Sequence, residues 1–306
     1  MNAILSKKDK IYITGIAGML GYGIYCTLKD RAEISGIDIV DIEVPELSYS
    51  RISLYDTEDV EKNLVQTKPD ILIHTAALIN VEECEENPEA AKRLNTQVTA
   101  GLADLCARHN IKMVYISTDA VFDGEEVGLY SEEDAVNPPN VYGQTKLDGE
   151  AAVLKYSKNL VLRTNIYGIN IQKKQSFGEW IYHSLKEDQT LHLFTDIDFS
   201  PILVNELAEL IYRSCQENLC GLYHACGTGC ITKYEFGVKL KEVFQIKTGT
   251  IVRATSDIAH FKARRSKHMG MSNAKLRNAL RVDIRTPEES IEAFYDLCNE
   301  ETNYGD

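Results

Sequence analysis

Tyr142-Gly-Gln-Thr-Lys146 sets a phenol and an amine one helical turn apart, on one face of a helix entered after Pro138-Pro139-Asn140. A phenol and an amine so placed are candidates for acid–base work, yet the pattern is also an ordinary helix-surface pairing and recurs at Tyr25/Lys29 and Tyr182/Lys186. Context separates the pairs. Only Tyr142/Lys146 follows a strand ending in Ser117-Thr118-Asp119, with Thr118 lying 24 residues before the tyrosine, in the same part of the chain as a glycine turn.

That turn is Gly15-Ile-Ala-Gly18-Met-Leu-Gly21, set between the β-rich run Ile11-Tyr-Ile-Thr14 and a helical pattern in Met19, Leu20, Ile24 and Leu28. Glycine at 15 permits a tight turn, at 18 it lets backbone approach a pyrophosphate, and at 21 it allows close helix-to-strand packing while the helix N-terminus faces the anion. The spacing is GxxGxxG, and the flanking strand and helix supply the context that dinucleotide binding requires. Asp38 falls 23 residues after Gly15, at the end of the second strand. Its carboxylate can accept from both hydroxyls of an adenosine ribose and repels a 2′-phosphate, which favours NAD(H) over NADP(H). Ile39 and Val40 offer no arginine for that phosphate; Arg51 or a more distant residue could.

The elements that must position these groups alternate. Strands are expected at 11–14, 33–40, 50–54, 70–74, 112–117 and 160–164, with helices near 56–66, 88–109 and 140–157 between them. Such alternation builds crossover units and a parallel sheet covered on both faces, a doubly wound α/β (Rossmann) domain over 1–170. Past 170 the rhythm weakens to short apolar runs at 191–194 and 221–225 among helical stretches near 176–187, 203–217, 232–244 and 287–299. Residues 171–306 therefore read mainly as a smaller, helix-rich substrate-binding lobe, with a segment able to return to the main sheet.

Composition narrows the function. The 306 residues are 44% hydrophobic and 26% charged with seven prolines, a folded chain throughout. Thirty-three basic against 46 acidic residues give −13, which opposes binding to a nucleic acid polymer or an anionic membrane. No 18-residue apolar run exists and Met1–Lys10 is short and charged, so neither a membrane span nor a signal peptide is expected. Eight scattered cysteines read as reduced thiols of a cytoplasmic protein. His224, Cys226 and Cys230 lack a fourth ligand at zinc spacing, and no metal is expected. Glu82, Glu83, Glu85 and Glu86 suit a helix start, and His74 a packed position near the cofactor.

As an ordered set, Thr14-Gly-Ile-Ala-Gly-Met-Leu-Gly21, Thr75-Ala-Ala77, Val81-Glu-Glu-Cys-Glu85 with Pro88, Asn95, Ser117-Thr-Asp-Ala-Val-Phe-Asp-Gly124, Val141-Tyr-Gly-Gln-Thr-Lys146 and Arg163-Thr164 resemble the extended short-chain dehydrogenases. Within them the chain is most similar to the dTDP-4-dehydrorhamnose reductase branch, and the likeness continues more faintly through Phe199-Ser-Pro201, Gly221-Leu-Tyr-His224 and Ala263-Arg-Arg265. The resemblance implies NAD(P)H-dependent reduction of a nucleotide-diphospho-4-keto-6-deoxy sugar. In that reading Tyr142 gives its proton to the ketone oxygen, Lys146 lowers the phenol's pKa and binds the nicotinamide ribose, and Thr118 donates to the same oxygen. Met19, Leu20, Ile39, Leu54, Thr75, Ala76 and Ala77 join the glycine turn around the cofactor, with Asn95 in support. Val81, Asp119, Ala120 and Ile166 face the sugar, and Arg264 or Arg265 clamps its diphosphate.

Related dehydratases and epimerase-reductases carry an acid or a cysteine just after the catalytic hydroxyl. This chain has Thr118-Asp119-Ala120, and an alanine methyl takes no proton, which leaves simple carbonyl reduction or its reverse. The branch's usual aromatic at position 120 and tryptophan at 166 are replaced by Ala120 and Ile166, and Gly23 stands where some members have a glutamate of a magnesium-bridged dimer. Two rivals stay open: a sugar-nucleotide 4-epimerase that retains NAD, and a regulatory subunit similar to those of methionine adenosyltransferase. A homodimer is also left open.

Overall fold

The structure, a computed structural model, describes residues 9–172, 174–258 and 261–302; the beginning of the charged N-terminal stretch, residues 1–8, lies outside them. Strands β1 (Lys10–Thr14), β2 (Glu33–Asp38), β3 (Ser48–Arg51), β4 (Ile71–His74), β5 (Lys112–Thr118) and β6 (Leu160–Thr164) lie in the order β3-β2-β1-β4-β5-β6, and Gly221–His224 extends the sheet beyond β6. Every pairing in it is parallel. The alternation along β1 shows how both faces are filled. Ile11 and Ile13 meet Leu20, Ile24 and Leu28 of the helix Met19–Leu28, together with Leu207 and Ile211 of the helix Val204–Gln216. Tyr12 points the other way, to Val60, Leu64, Leu102 and Cys106. Burial on both faces is why these strands read as near-continuous apolar runs.

This is the doubly wound Rossmann arrangement. Strand order reverses between β1 and β4, so the connections from their carboxyl ends diverge and leave a crevice above the sheet. Thr14, Asp38, His74, Thr118 and Thr164 all end their strands at this edge.

Three local departures from the expected elements have physical causes. The second strand stops at Asp38 instead of 40 because its Oδ1 accepts the N–H groups of Ile39 (2.7 Å) and Val40 (3.1 Å), removing both donors from the ladder. The third strand is Ser48–Arg51, in register with Ser35–Asp38, so it ends where its partner ends. The expected helix 88–109 is three segments, Pro88–Ala91, a π-helical Lys92–Val98 and Thr99–Arg108. Wider π turns recur at functional sites, and here the bulge carries Asn95 inward.

Several segments from beyond residue 170 pack with the main sheet: the strand Gly221–His224, the helix Val204–Gln216, and Leu276 of the helix Ala274–Leu280 together with Ile284. The rest of that half has its own core, in which Tyr167, Ile181, Phe199, Phe236 and Phe294 join the helices Phe177–Lys186, Lys233–Val243 and Pro287–Thr302. Thr190–Phe194 pairs in parallel with Thr250–Ala254, a strand the sequence reading did not place. Among the described residues no helix is long and apolar enough to cross a membrane.

Candidate active site

The crevice widens into a cavity of about 980 Å³ bounded by the strand ends and the smaller lobe. Gly15, Gly18, Met19 and Leu20 of the turn line it, as do Asp38, Ile39 and Leu54 and the segment Thr75-Ala76-Ala77. Thr118, Tyr142 and Lys146 open onto the same space. So do Val81, Asp119, Ala120, Ile166 and Arg265.

Gly15 has φ +80°, and a Cβ there would stand 2.9 Å from both the Ala76 nitrogen and the Thr75 hydroxyl. Only glycine lets the turn bend this way and lie against the β4 terminus. Gly18 precedes the first helical residue with no side-chain cap, so backbone N–H groups at that helix start remain for an anion. Gly21 lies outside the cavity lining, pressed against the Gly15 carbonyl, where it sets the helix close to the turn. Asp38 closes the turn from the far side, its Oδ2 accepting the Ala17 N–H at 2.9 Å. Arg51 is drawn into a 2.8 Å ion pair with Asp41. An open-backbone helix start beside a carboxylate at the β2 end fits a dinucleotide.

The helix Val141–Val153 carries the tyrosine and lysine. Asn140 caps it by accepting the Gly143 N–H at 2.9 Å, and Glu85 accepts the Val141 N–H at 3.1 Å. A Cβ on Gly143 would meet the Ala120 carbonyl at 2.1 Å, so glycine between the pair lets the helix lie directly on the loop after β5. That loop brings Thr118 to Tyr142. Burial holds the Tyr142 phenol well above its ordinary pKa, a hydrogen bond with Thr118 draws it back, and the nearby Asp119 and Cys84 push it further up. The phenol is a protonated donor at neutral pH.

Lys146 is placed differently from the expectation. Its ammonium donates to the Ile116 carbonyl at 2.7 Å and sits 4.1 Å from the centre of the Tyr115 ring. Burial pushes its pKa down to about 7 against the pull of Glu150. The group that lowers the phenol's pKa in this structure is therefore the Thr118 hydroxyl, since the lysine is turned toward the strand carbonyl. His74 is a packed residue between Thr14 (2.6 Å) and Thr99 (3.0 Å), and burial, with the Lys146 charge, lowers its pKa to about 3, leaving it neutral.

Beneath the site lies a buried ion pair. Glu150 accepts from Ser117 at 2.6 Å and from Arg163 at 2.9 and 2.8 Å, tying the helix Val141–Val153 to β5 and β6 at once.

Besides Gly21, two expected site residues lie outside the cavity lining. Asn95 is buried outside the cavity lining, accepting the Leu78 N–H at 2.8 Å and donating to the Leu78 carbonyl at 3.0 Å and to Thr145 at 3.2 Å, so it braces the helix Val141–Val153 from behind. Arg264 is exposed and ion-paired with Glu125, because its backbone turns outward while Arg265 turns in. Arg265 pairs with Glu82 at 2.9 Å, and among the described residues its buried Nε has no hydrogen-bond partner. Glu82 also accepts the Lys262 N–H at 2.9 Å, so the acidic burst fastens the 261–265 loop as well as starting a helix. Among the described residues, no group of three or more His, Cys, Asp or Glu could hold a metal ion.

Sequence reasoning missed Asn165 and Lys233. Asn165 donates to the Asp119 carboxylate, and Lys233 enters the cavity from the smaller lobe. Burial raises the Asp119 pKa, while hydrogen bonds from Asn165 and Thr118 and the charge of Lys233 hold it down. Neither residue belongs to a short motif, and they come to Asp119 from positions 68 residues apart, one after β6 and one at the start of the helix Lys233–Val243.

The fold and this cavity define an extended short-chain dehydrogenase/reductase. The chain belongs to the RmlD substrate binding domain family, whose profile matches residues 9–299. It is 31% identical over 238 residues to the probable low-salt glycan biosynthesis reductase Agl14 of Haloferax volcanii, covering 76% of this chain and 79% of that one. It is 27% identical over 297 residues to the methionine adenosyltransferase 2 subunit beta of Mus musculus, covering 91% and 84%. The solved structure of dTDP-4-dehydrorhamnose reductase from Bacillus anthracis str. Ames in complex with NADP matches with a TM-score of 0.86 at 26% identity, covering 95% of this chain and 99% of that one.

Proposed function

We propose that this protein is an NAD(P)H-dependent reductase of a nucleotide-diphospho-4-keto-6-deoxy sugar, of the kind that dTDP-4-dehydrorhamnose reductase represents. The observation that carries the reading is that Thr118, Tyr142 and Lys146 share one cavity with the glycine turn. The turn, Asp38 and Thr75-Ala76-Ala77 would hold the cofactor, and the carboxylate at 38 favours NADH. When bound, the reduced nicotinamide supplies a hydride.

The chain's own groups manage the oxygen. The Thr118 hydroxyl lies beside the Tyr142 phenol, whose O–H is the donor to a ketone oxygen entering there; the single Thr118 proton is given to Asp119 at 2.9 Å and turns from it to join. As the carbonyl carbon gains the hydride, its π pair moves onto oxygen, which takes the Tyr142 proton. The resulting phenolate is reprotonated from solvent, and Lys146, one helical turn away in the same cavity, would hold the nicotinamide ribose. Arg265, with an unpaired Nε, is the guanidinium we assign to the diphosphate.

A non-catalytic subunit role is the second reading, favoured by the 91% coverage against the methionine adenosyltransferase subunit. The intact trio argues for catalysis, since ligand recognition alone does not require it. A screen of nucleotide-linked 4-keto sugars followed by NADH and NADPH absorbance separates the two. Stoichiometric cofactor oxidation with one sugar supports the reductase. No oxidation across the panel refutes it, and turnover without net oxidation identifies an epimerase.

A further inference from the structure

Lys233 is an unusual choice for its position. It is the first residue of the helix Lys233–Val243, whose start is fixed by a reciprocal cap between Thr232 and Glu235. The first turn of a helix disfavours a cation. The side chain nevertheless folds inward, its ammonium 3.1 Å from the centre of the Phe199 ring and 4.5 Å from that of Phe177. Among the described residues its ammonium has no hydrogen-bond or ion-pair partner at contact distance, only the two rings, and the residue lines the cavity. Burial draws its pKa down to about 7, and the charge that pulls it back up is Asp119.

Asp119 fixes which part of the cavity this is. It follows Thr118, and its carboxylate already accepts from the Thr118 hydroxyl at 2.9 Å and from Asn165. Lys233 therefore faces the sugar beside the reacting carbonyl. In a 4-keto-6-deoxy sugar, the neighbours of the carbonyl carbon differ. C5 bears the methyl group and the ring oxygen, whereas C3 bears a hydroxyl. We propose that Lys233 is a specificity-determining residue that donates to the C3 hydroxyl oxygen, with Asp119 as its counter-charge and the Phe177 and Phe199 rings as its seat. This rests on the reductase reading for the identity of the sugar.

The test is calorimetric titration of the protein, saturated with NAD(P)+, with dTDP-rhamnose, its 3-deoxy analogue and dTDP alone, in wild type and in Lys233→Met and Lys233→Arg. Wild type should bind dTDP-rhamnose about 10- to 100-fold more tightly than the 3-deoxy analogue, the usual weight of a hydrogen bond to a charged group. Lys233→Met, matched in length and able to pack on both rings, should bind the two sugars equally and dTDP as before. Lys233→Arg should keep part of the preference. The proposal is overturned if wild type does not discriminate, or if Lys233→Met weakens both sugars alike or neither. Cofactor oxidation is measured separately, so a protein that reduces no 4-keto sugar would sink the reductase reading while the titration still decides Lys233.

Discussion

Replacing Glu150 by glutamine measures how much the buried charge under the site contributes. Its two oxygens hold Arg163 at 2.9 and 2.8 Å and Ser117 at 2.6 Å, and the arginine and glutamate side chains are 4% and 3% exposed. Glutamine keeps the shape and removes the charge, so the guanidinium is left buried without a counter-ion. Breaking such a pair costs about 3–5 kcal/mol. For a chain of 306 residues that lowers Tm by roughly 5–8 °C. Because Glu150 also supports the Lys146 charge against burial, the pH at which that lysine titrates should fall below about 7 in the variant. Thermal and urea unfolding give the stability. The control is Glu150→Leu combined with Arg163→Met, which removes both charges and should recover most of the loss. A single variant that melts with wild type, or a double variant no more stable than the single, refutes the assignment of this pair as the clamp between helix and strands.

Cofactor choice and pH dependence give further checks. Asp38→Ser should lower the NADH-over-NADPH ratio of kcat/KM by about tenfold or more, as expected for lost hydrogen bonds to a charged group; an unchanged ratio removes Asp38 from the choice. Lys146 has a folded pKa of about 7 against an ordinary 10.5, so above pH 7 the unfolded chain binds more protons and stability rises with pH. Urea midpoints between pH 7 and 8, below the range where the buried thiols begin to oppose this, should therefore climb less steeply in Lys146→Met than in wild type. Equal slopes would mean that Lys146 is not buried as a charge.

The alternating strands and helices were legible because a sheet covered on both faces demands apolar runs, and β4 with all four residues buried is the plainest case. The turn and the Tyr142/Lys146 pair were legible because each lies within one short segment. The limits of that reading are equally specific. Asp38 was expected near the end of a strand running to 40, and only its side chain taking two backbone donors stops the strand at 38 itself. The π-helical turn that buries Asn95 leaves no mark in a 3.6-residue pattern. Arg264 and Arg265 are chemically alike, and the turn of the backbone alone decides which one reaches the cavity. Lys233 is brought to Asp119 by tertiary packing, for which spacing along the chain carries no signal.

The central claim is that the Tyr142 phenol protonates the oxygen of the carbonyl being reduced. Tyr142→Phe keeps the ring and removes that proton alone, so the decisive measurement is turnover of the reducible sugar nucleotide together with NAD(P)H affinity in this variant. The account predicts turnover reduced by about 10²-fold or more with cofactor Kd unchanged. Turnover equal to wild type would contradict it.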